Sequence, residues 1–194
     1  NNIIPNIPKN YFNNFLTSTL KTMDDEEAPK EIRGLAAIYL ILSQTGLRIS
    51  ELYLLNVDCL KYEGNVPYMT YKTYKKVKGE SNYRPGKTFA NDLTIKGIKF
   101  LQKLYEKERE ELKCDFLYVV YNSLKRQFIN IVPNHERIEK QQKRYFIYLN
   151  KYFQTVYTEP QNIQNLYCVK DDHFNNTHLY IVKPKNHQFR VHVI

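Results

Sequence analysis

The chain has 194 residues, of which 42% are hydrophobic and 25% charged, a composition typical of one folded domain with a sizeable core. Its most apolar run, residues 35–42, is too short to span a bilayer, and residues 1–10 do not match a secretory signal, so we expect a cytoplasmic protein without a membrane partner. The formal net charge of +9 predicts a polyanionic partner, most commonly nucleic acid, and hence a nucleoid-associated location.

The first ten residues contain two prolines and no periodic pattern, which predicts an arm or linker over residues 1–10 and a single domain over residues 11–194. Helix-spaced apolar residues follow directly, on a face made of Phe12, Phe15, Leu16 and Leu20. The acidic residues 24–27 then break the pattern, and we expect them to begin the next helix.

That next helix, over residues 31–46, is apolar on nearly every side and is predicted to lie at the centre of the core. Gly46 is a natural C-terminal stop for it. After a turn at Arg48, a second amphipathic helix is predicted, with Ser50 as its N-cap and Leu52 and Leu55 facing inward.

Residues 61–90 are rich in Tyr, Thr and Val and contain two glycine-bearing turn signals, which predicts a β-hairpin or a small meander. This segment is strongly basic. Its seven basic residues outnumber its two acids, Glu63 and Glu80, by five, and they are Lys61, Lys72, Lys75, Lys76, Lys78, Arg84 and Lys87.

The second half of the chain is predicted to begin with one helix over residues 93–112, followed by a short strand or buried segment in residues 115–121. A long, basic, amphipathic helix is predicted over His135–Phe153, and residues 158–186 have the composition of a loop. The last residues, "KPKNHQFRVHVI", have the pattern of a helix start. The predicted fold class is therefore mainly α with a small antiparallel β-hairpin or sheet (α+β).

Two arginines have unusual surroundings. Arg48 lies at a helix–helix turn between apolar neighbours, and Arg190 follows His187 by one helical turn, close to two lysines. An arginine and a histidine on one helical face could bind a phosphate. A buried salt bridge remains the alternative for each arginine, and Glu51, three residues after Arg48, is the obvious partner for the first.

Metal and cofactor sites are not indicated by the sequence. Glycine-rich phosphate loops, HExxH and GxSxG motifs are absent. His173 and His178 with Asp171 and Asp172 lie in a polar segment without a second cluster, so we do not expect them to bind a metal. We expect no cofactor.

Three short motifs, taken in order, resemble the tyrosine recombinase (phage integrase) family. They are "TGLRISEL" at residues 45–52, "YKT" at residues 71–73 in the predicted hairpin, and "HQFR" at residues 187–190. The resemblance covers nearly the whole chain, and the long C-terminal loops are similar to those of transposase-like integrases of mobile elements. It implies the family's catalytic domain, which breaks and rejoins double-stranded DNA through a 3′-phosphotyrosyl intermediate without metal or nucleotide.

The resemblance also implies roles for individual residues. Arg48 and Arg190 would both bind the scissile phosphate, where fixed guanidinium groups stabilise the charge that develops in phosphoryl transfer. Lys72 would protonate the 5′-hydroxyl leaving group as general acid, with Lys75 and Lys76 as rival candidates. His187 would assist proton transfer or phosphate binding.

Supporting roles fall on neighbouring residues. Glu51 would position Arg48. The family usually has a histidine directly after the second arginine, whereas here Val191 intervenes and the histidine is His192. DNA contacts are expected from basic residues of the hairpin, namely Lys75, Lys76, Lys78, Arg84 and Lys87.

The family's third-box His or Trp, its nucleophilic tyrosine and its N-terminal DNA-clamping domain have no counterpart in this sequence. We therefore expect a catalytic-domain fragment that binds DNA weakly, is monomeric and does not cleave alone, whereas the full-length protein would act as a tetramer on two duplexes. Two alternatives remain open. The first is a non-catalytic DNA-binding module using the basic hairpin and basic helix, and the second is RNA binding through hairpin aromatics such as Tyr71 and Tyr74.

Overall fold

The computed structural model describes residues 9–73, 84–153, 166–170, 178–182 and 190–193. The chain divides into two compact units. The first, here called the core unit, is Thr22–His135, and the second, here called the terminal unit, combines Asn1–Lys21 with Glu136–Ile194.

The described residues form helices and antiparallel strands, so the predicted α+β class is confirmed. The helices are α1 (Lys9–Asp24), α2 (Lys30–Thr45), α3 (Ile49–Leu52), α4 (Asp92–Leu104), α5 (Glu106–Leu112) and α6 (His135–Phe153). The strands are β1 (Leu60–Glu63), β2 (Val66–Thr73), β3 (Arg84–Phe89), β4 (Val120–Asn122), β5 (Gln127–Ile129), β6 (Leu166–Lys170), β7 (His178–Val182) and β8 (Arg190–Val193).

Helix α2 is the centre of the core unit, as its all-round apolar pattern predicts, and every residue from 34 to 41 is buried. It ends where Gly46 takes a left-handed conformation (φ 63°) and donates its backbone N–H to the Leu42 carbonyl. Helix α4 packs closely on α2 at Gly97, where a Cβ atom would lie 2.8 Å from the Ile41 side chain. The small residue therefore sets the distance between the two helices.

The predicted basic hairpin is a three-stranded antiparallel meander in the order β1-β2-β3. Leu60 of β1 lies opposite Met69 of β2, and Tyr68 of β2 lies opposite Phe89 of β3. Because side chains alternate along a strand, one face of the meander faces the core and the other faces solvent. Met69, on the inner face, is fully buried.

The single helix predicted over residues 93–112 is wrong, because the chain breaks at Tyr105 (φ −109°, ψ 18°) into α4 and α5. The guanidinium of Arg109 donates hydrogen bonds to two carbonyl groups in the last turn of α4, those of Leu101 and Gln102. The Leu101 carbonyl also accepts the backbone N–H of Tyr105. The same guanidinium also donates to the Leu117 carbonyl at 3.2 Å. Arg109 thus caps α4 from the next helix.

Three buried tyrosines, here called the tyrosine cluster (Tyr53, Tyr105 and Tyr118), pack edge to face in the core unit. The ring centroids of Tyr53 and Tyr118 lie 5.1 Å apart, and those of Tyr105 and Tyr118 lie 5.6 Å apart, both at 88°. Tyr105 packs directly over Gly34 of α2, where an added Cβ would come within 1.9 Å of the hydroxyl oxygen. The break between α4 and α5 places the Tyr105 ring in this cluster.

Within residues 115–121, a buried run continues into a strand, as predicted. Residues 117–120 are all buried, and β4 pairs with β5 in a two-stranded antiparallel hairpin. Acidic residues 24–27, by contrast, do not begin a helix. Asp24 ends α1, and the side chain of Asp25 accepts the Glu27 backbone N–H in the turn before α2.

In the terminal unit, the helix-spaced apolar residues near the start of the chain lie in a helix, α1, as predicted. Phe12, Phe15, Leu16 and Leu20 are only half-buried, whereas Ser18 and Thr19 are buried. The Thr19 hydroxyl lies 2.8 Å from the Tyr145 hydroxyl of α6, which is a buried hydrogen bond. A buried hydroxyl pair therefore joins α1 to α6.

Two predictions are wrong in the terminal unit. Residues 158–186 contain strands β6 and β7 rather than only loop, and residues 190–193 form strand β8 rather than a helix. The three strands form one antiparallel sheet in the order β6-β7-β8. Valine at positions 191 and 193 favours extended backbone, and pairing with β7 satisfies its hydrogen bonds. Among the described residues, no helix is long and apolar enough to cross a membrane.

Candidate phosphate-binding site

Arg48 occupies the turn between α2 and α3 with an extended backbone (φ −72°, ψ 145°) and is the N-cap residue of α3. Its apolar neighbour Leu47 is largely buried, but the Arg48 side chain is 62% exposed. The chain therefore anchors the backbone of this residue and leaves the guanidinium accessible to a ligand. The ion pair with Glu51 that was the alternative for Arg48 is present, but only its carboxylate side is buried.

Glu51 holds this turn in place. One of its carboxylate oxygens, Oε2, accepts the backbone N–H of Arg48 at 2.8 Å, and the other, Oε1, lies 3.7 Å from Nη1 of the Arg48 guanidinium. The Glu51 side chain is only 6% exposed. A single buried carboxylate thus fixes both ends of Arg48, in the manner of the N3 residue of a capping box.

Ser50 is not the N-cap, because Arg48 takes that position and Ser50 lies within the helix. Helix α3 is a single turn, shorter than the sequence pattern predicts. The inward positions Leu52 and Leu55 are nevertheless fully buried, as expected. These two leucines attach the Arg48 turn to the core.

Lys72 lies near the end of β2, opposite Pro85 of β3. Its side chain is exposed, and it makes no ion pair with any residue that the structure describes. Helix α3 packs beside β2, so the Arg48 turn and the Lys72 strand are neighbouring elements of the core unit. Two cations are therefore presented from adjoining rigid elements.

The solvent-facing side of the meander, here called the outer face, contains Lys72 together with other basic and aromatic residues. By strand register it consists of Lys61, Glu63, Val66, Tyr68, Thr70, Lys72, Pro85, Lys87 and Phe89. Lys87 shares this face with Lys72. Arg84, opposite Thr73, is on the same side of the sheet as Met69, but its side chain is exposed near the end of the sheet. Lys75, Lys76 and Lys78 lie outside the described residues.

Ion pairs neutralise some of the lysines on the outer face. Lys87 forms an ion pair with Glu63, and its ammonium lies 3.9 Å from the centroid of the Tyr68 ring. Lys61 binds Asp58 at 2.9 Å, and this hydrogen bond raises the pKa of Lys61 and lowers that of Asp58. Lys72 is thus the lysine of this face whose charge is not neutralised by a neighbour within the described chain.

The third motif is only partly covered by the described residues. His187 lies outside them, while Arg190 and His192 lie in β8, opposite Val182 and Tyr180 of β7. Both belong to the terminal unit, whereas Arg48 and Lys72 belong to the core unit. The joint site of Arg48, Lys72, His187 and Arg190, with His192 in support, stays a prediction.

Buried groups of the core unit are unsuited to act as nucleophiles. Tyr53 and Tyr105 are buried, and desolvation raises the pKa of each phenol well above its ordinary value. Burial likewise raises the pKa of the Cys59 thiol to about 12. No group of three or more His, Cys, Asp or Glu side chains suited to holding a metal occurs among the described residues.

The sequence reading missed the exposed aromatic part of the outer face. Tyr68 alternates with Thr70 and Lys72 along β2, and this period of two would have placed the tyrosine on the same face as the lysine. Phe89 was missed for another reason. Its position opposite Tyr68 depends on the pairing of β2 with β3, which the spacing within one strand does not determine.

No protein-family model matches the sequence. No curated protein matches it either. Among solved structures, the chain is similar to that described as the crystal structure of XerH site-specific recombinase bound to difH substrate, a pre-cleavage complex. The TM-score is 0.46 and the sequence identity 20%, and the match covers 80% of this chain and 39% of that chain.

Proposed function

We propose that this chain is the catalytic part of a tyrosine recombinase that acts in site-specific DNA recombination or integration. The observation that carries the proposal is the geometry at Arg48, whose exposed guanidinium extends from a backbone fixed by the buried carboxylate of Glu51. The element that begins there packs beside the strand bearing Lys72. The motif "TGLRISEL" supplies the same residues in sequence.

The proposed chemistry is transfer of a DNA phosphoryl group to a tyrosine. The tyrosine oxygen attacks the scissile phosphorus, a 3′-phosphotyrosyl bond forms, and the bond to the 5′-oxygen breaks. Negative charge grows on the nonbridging oxygens, and a preorganised guanidinium fork stabilises it. In this proposal Arg48 is one such fork and Arg190 is the other. The nucleophile is not assigned to any tyrosine of these 194 residues.

Lys72 is proposed to donate the proton that the departing 5′-oxygen requires. An ammonium without an ion-pair partner among the described residues is free to approach DNA, and β2 holds it at a fixed position beside α3. Lys75 and Lys76 remain rival donors. His187 would assist proton transfer or phosphate binding, and His192 would support the site.

The decisive experiment traps the covalent intermediate in the full-length gene product. In nicked duplexes from DNA flanking the gene, the short fragment that carries the released 5′-hydroxyl diffuses away after cleavage, so a covalent adduct should accumulate. Arg48→Ala should reduce the rate of adduct formation about 100- to 1,000-fold, because it removes a donor to the developing charge. Lys103→Ala, at an exposed position of α4, is the matched control and should react like wild type. A folded wild-type protein that forms no adduct would overturn the proposal.

A variant of Glu51 separates positioning from folding. Glu51→Gln keeps an oxygen that can accept the Arg48 backbone N–H but removes the charge beside the guanidinium. We expect adduct formation to slow about two- to fivefold with little change in melting temperature. A slower rate of adduct formation accompanied by a clear fall in melting temperature would assign Glu51 a purely structural role.

A second candidate is a DNA-binding module without chemistry, favoured by the exposure of Lys72 and Lys87 on one face of the meander. In that case Arg48→Ala would weaken duplex binding no more than a lysine substitution would. Each lost phosphate contact should lower the slope of log affinity against log salt by about one. Binding and adduct formation measured on the same variants distinguish the two candidates.

A further inference from the structure

The outer face of the meander exposes two large apolar side chains that a surface strand does not need for folding. Phe89 is 64% exposed and Val66 is 56% exposed, while Met69 on the inner face is fully buried. Tyr68 lies directly opposite Phe89 on the neighbouring strand. The sheet thus presents an exposed ring whose neighbour across the strands is also aromatic.

Cations accompany these rings. Lys87 lies two residues before Phe89 on the same face, and its ammonium is held 3.9 Å from the Tyr68 ring centroid. Lys72 lies on the same face about 13 Å along β2 from Tyr68, at the usual rise per residue. An aromatic surface bordered by cations matches a ligand that combines flat rings with a chain of negative charges.

We propose, on the basis of the function proposed above, that the outer face binds single-stranded DNA, with an unpaired base stacked on Phe89 and the phosphate backbone following Lys87 towards Lys72. Bases in a duplex are stacked on each other and offer no free ring face, whereas unpaired bases do. Strand exchange requires a DNA strand to leave its own duplex near the cleaved phosphate. The outer face would hold that released strand beside the proposed general acid.

Glu63 makes the arrangement specific enough to test. Its carboxylate pairs with Lys87 and therefore competes with phosphate for that ammonium. Glu63→Gln should release Lys87 and tighten the binding of single-stranded DNA about two- to fivefold at low salt, with a steeper salt dependence. Unchanged or weaker binding would contradict the assigned path of the backbone.

The stacking contact can be observed directly because the chain contains no tryptophan. Phe89→Trp introduces a single fluorescent reporter at the proposed contact. Titration of the 194-residue chain with oligothymidylate should quench its emission and give affinity near that of wild type. Phe89→Leu keeps an apolar side chain but loses the aromatic face, so its affinity should fall about tenfold.

Tyr62→Leu is the matched control. Tyr62 is another exposed aromatic residue of the meander, but by strand register it lies on the opposite face of the sheet from Phe89. We expect this variant to bind oligothymidylate like wild type. Equal losses for Tyr62→Leu and Phe89→Leu, or no loss for Phe89→Leu, would overturn the proposal, and tighter binding of oligouridylate than of oligothymidylate would overturn its assignment to DNA.

The two proposals fail separately. If the full-length protein forms the covalent adduct while Phe89→Leu leaves the binding of single-stranded DNA unchanged, the outer-face proposal is wrong and the recombinase proposal stands. If no adduct forms but the Phe89 series behaves as described, the chain binds single-stranded DNA through this face and the recombinase proposal is wrong.

Discussion

The core unit contains two groups of aromatic rings that differ in what surrounds them. The tyrosine cluster is buried, its Tyr105 ring packs against Gly34 of α2 and Phe128 of β5, and the phenols of Tyr53 and Tyr105 are desolvated. Tyr68 and Phe89 of the outer face lie beside a lysine, and Phe89 is largely exposed. Rings of the first kind stabilise the fold, whereas rings of the second kind are available to a ligand. Substitutions in the two groups should therefore affect different measurements.

The largest expected effect on stability comes from Gly34→Ala. An added Cβ would meet the Tyr105 hydroxyl at 1.9 Å, so either the ring or α2 must move, at a cost of about 3 kcal/mol in the free energy of unfolding. Urea denaturation measures this loss. In the double variant with Tyr105→Phe, part of the stability lost in Gly34→Ala should return, because the hydroxyl that clashes is gone. If the losses of the two single variants simply add, the clash with the Tyr105 hydroxyl is not the cause.

Alkaline pH should destabilise the protein through the tyrosine cluster. Burial raises the pKa of Tyr53 and Tyr105 above 10.0, so the unfolded chain releases protons that the folded chain retains. The contribution of these two tyrosines to stability is therefore complete below pH 10 and falls above it, by about 1.4 kcal/mol per tyrosine at pH 11. Denaturation curves at rising pH test this. Replacing both tyrosines with Phe should make the dependence shallower and leave the part that comes from the buried Cys59 thiol, whose pKa is raised to about 12. A flat wild-type curve between pH 9 and 11 would contradict it.

Arg109→Met should cost about 2 kcal/mol. The methionine retains much of the apolar stem but removes the donors to the Leu101, Gln102 and Leu117 carbonyls. Lys107→Met, at an exposed position of the same helix, serves as the control and should change stability little. Similar losses in the two variants would argue against the capping role of Arg109.

Tyr53→Phe should change stability in the opposite direction. The buried Tyr53 hydroxyl has no hydrogen-bond partner among the described residues, so removing it should stabilise the fold by up to about 1 kcal/mol. The change in melting temperature shows whether the variant is more or less stable than wild type. A clear loss would mean that the hydroxyl has a partner after all.

The smallest effect on stability is expected from Phe89→Ala. With its side chain mostly in solvent, the phenylalanine contributes about 0.5 kcal/mol or less to folding. The same change should weaken the binding of single-stranded DNA more than any substitution in the tyrosine cluster that preserves the fold. Loss of stability without loss of binding would remove the distinction between the two groups of rings.

Local pattern was enough where a segment is governed by its own composition. The all-round apolar α2, its stop at Gly46 and the basic meander were predicted correctly, because burial on every side and alternation in strands leave direct traces in sequence. The inward positions Leu52 and Leu55 followed from the same spacing. Arg48 was found because a charge between apolar neighbours is locally unusual.

Long-range contacts account for the errors. The break at Tyr105 depends on packing against Gly34 and on the Arg109 cap, neither of which helix periodicity reveals. The residues of strand β8 have the local pattern of a helix start, and only their pairing with β7, a contact between separate segments, makes them a strand. The hydroxyl pair of Thr19 and Tyr145 joins residues 126 positions apart.

The sequence by itself determined the α+β class, the basic meander and the identity of the residues proposed to bind phosphate. Only the tertiary structure decided that Arg48 is exposed while Glu51 is buried beneath it, and that Phe89, Tyr68 and Lys87 meet on one face. The physical reason is that propensity and periodicity act between near neighbours along the chain. Exposure and cross-strand contact depend on which distant segments pack together.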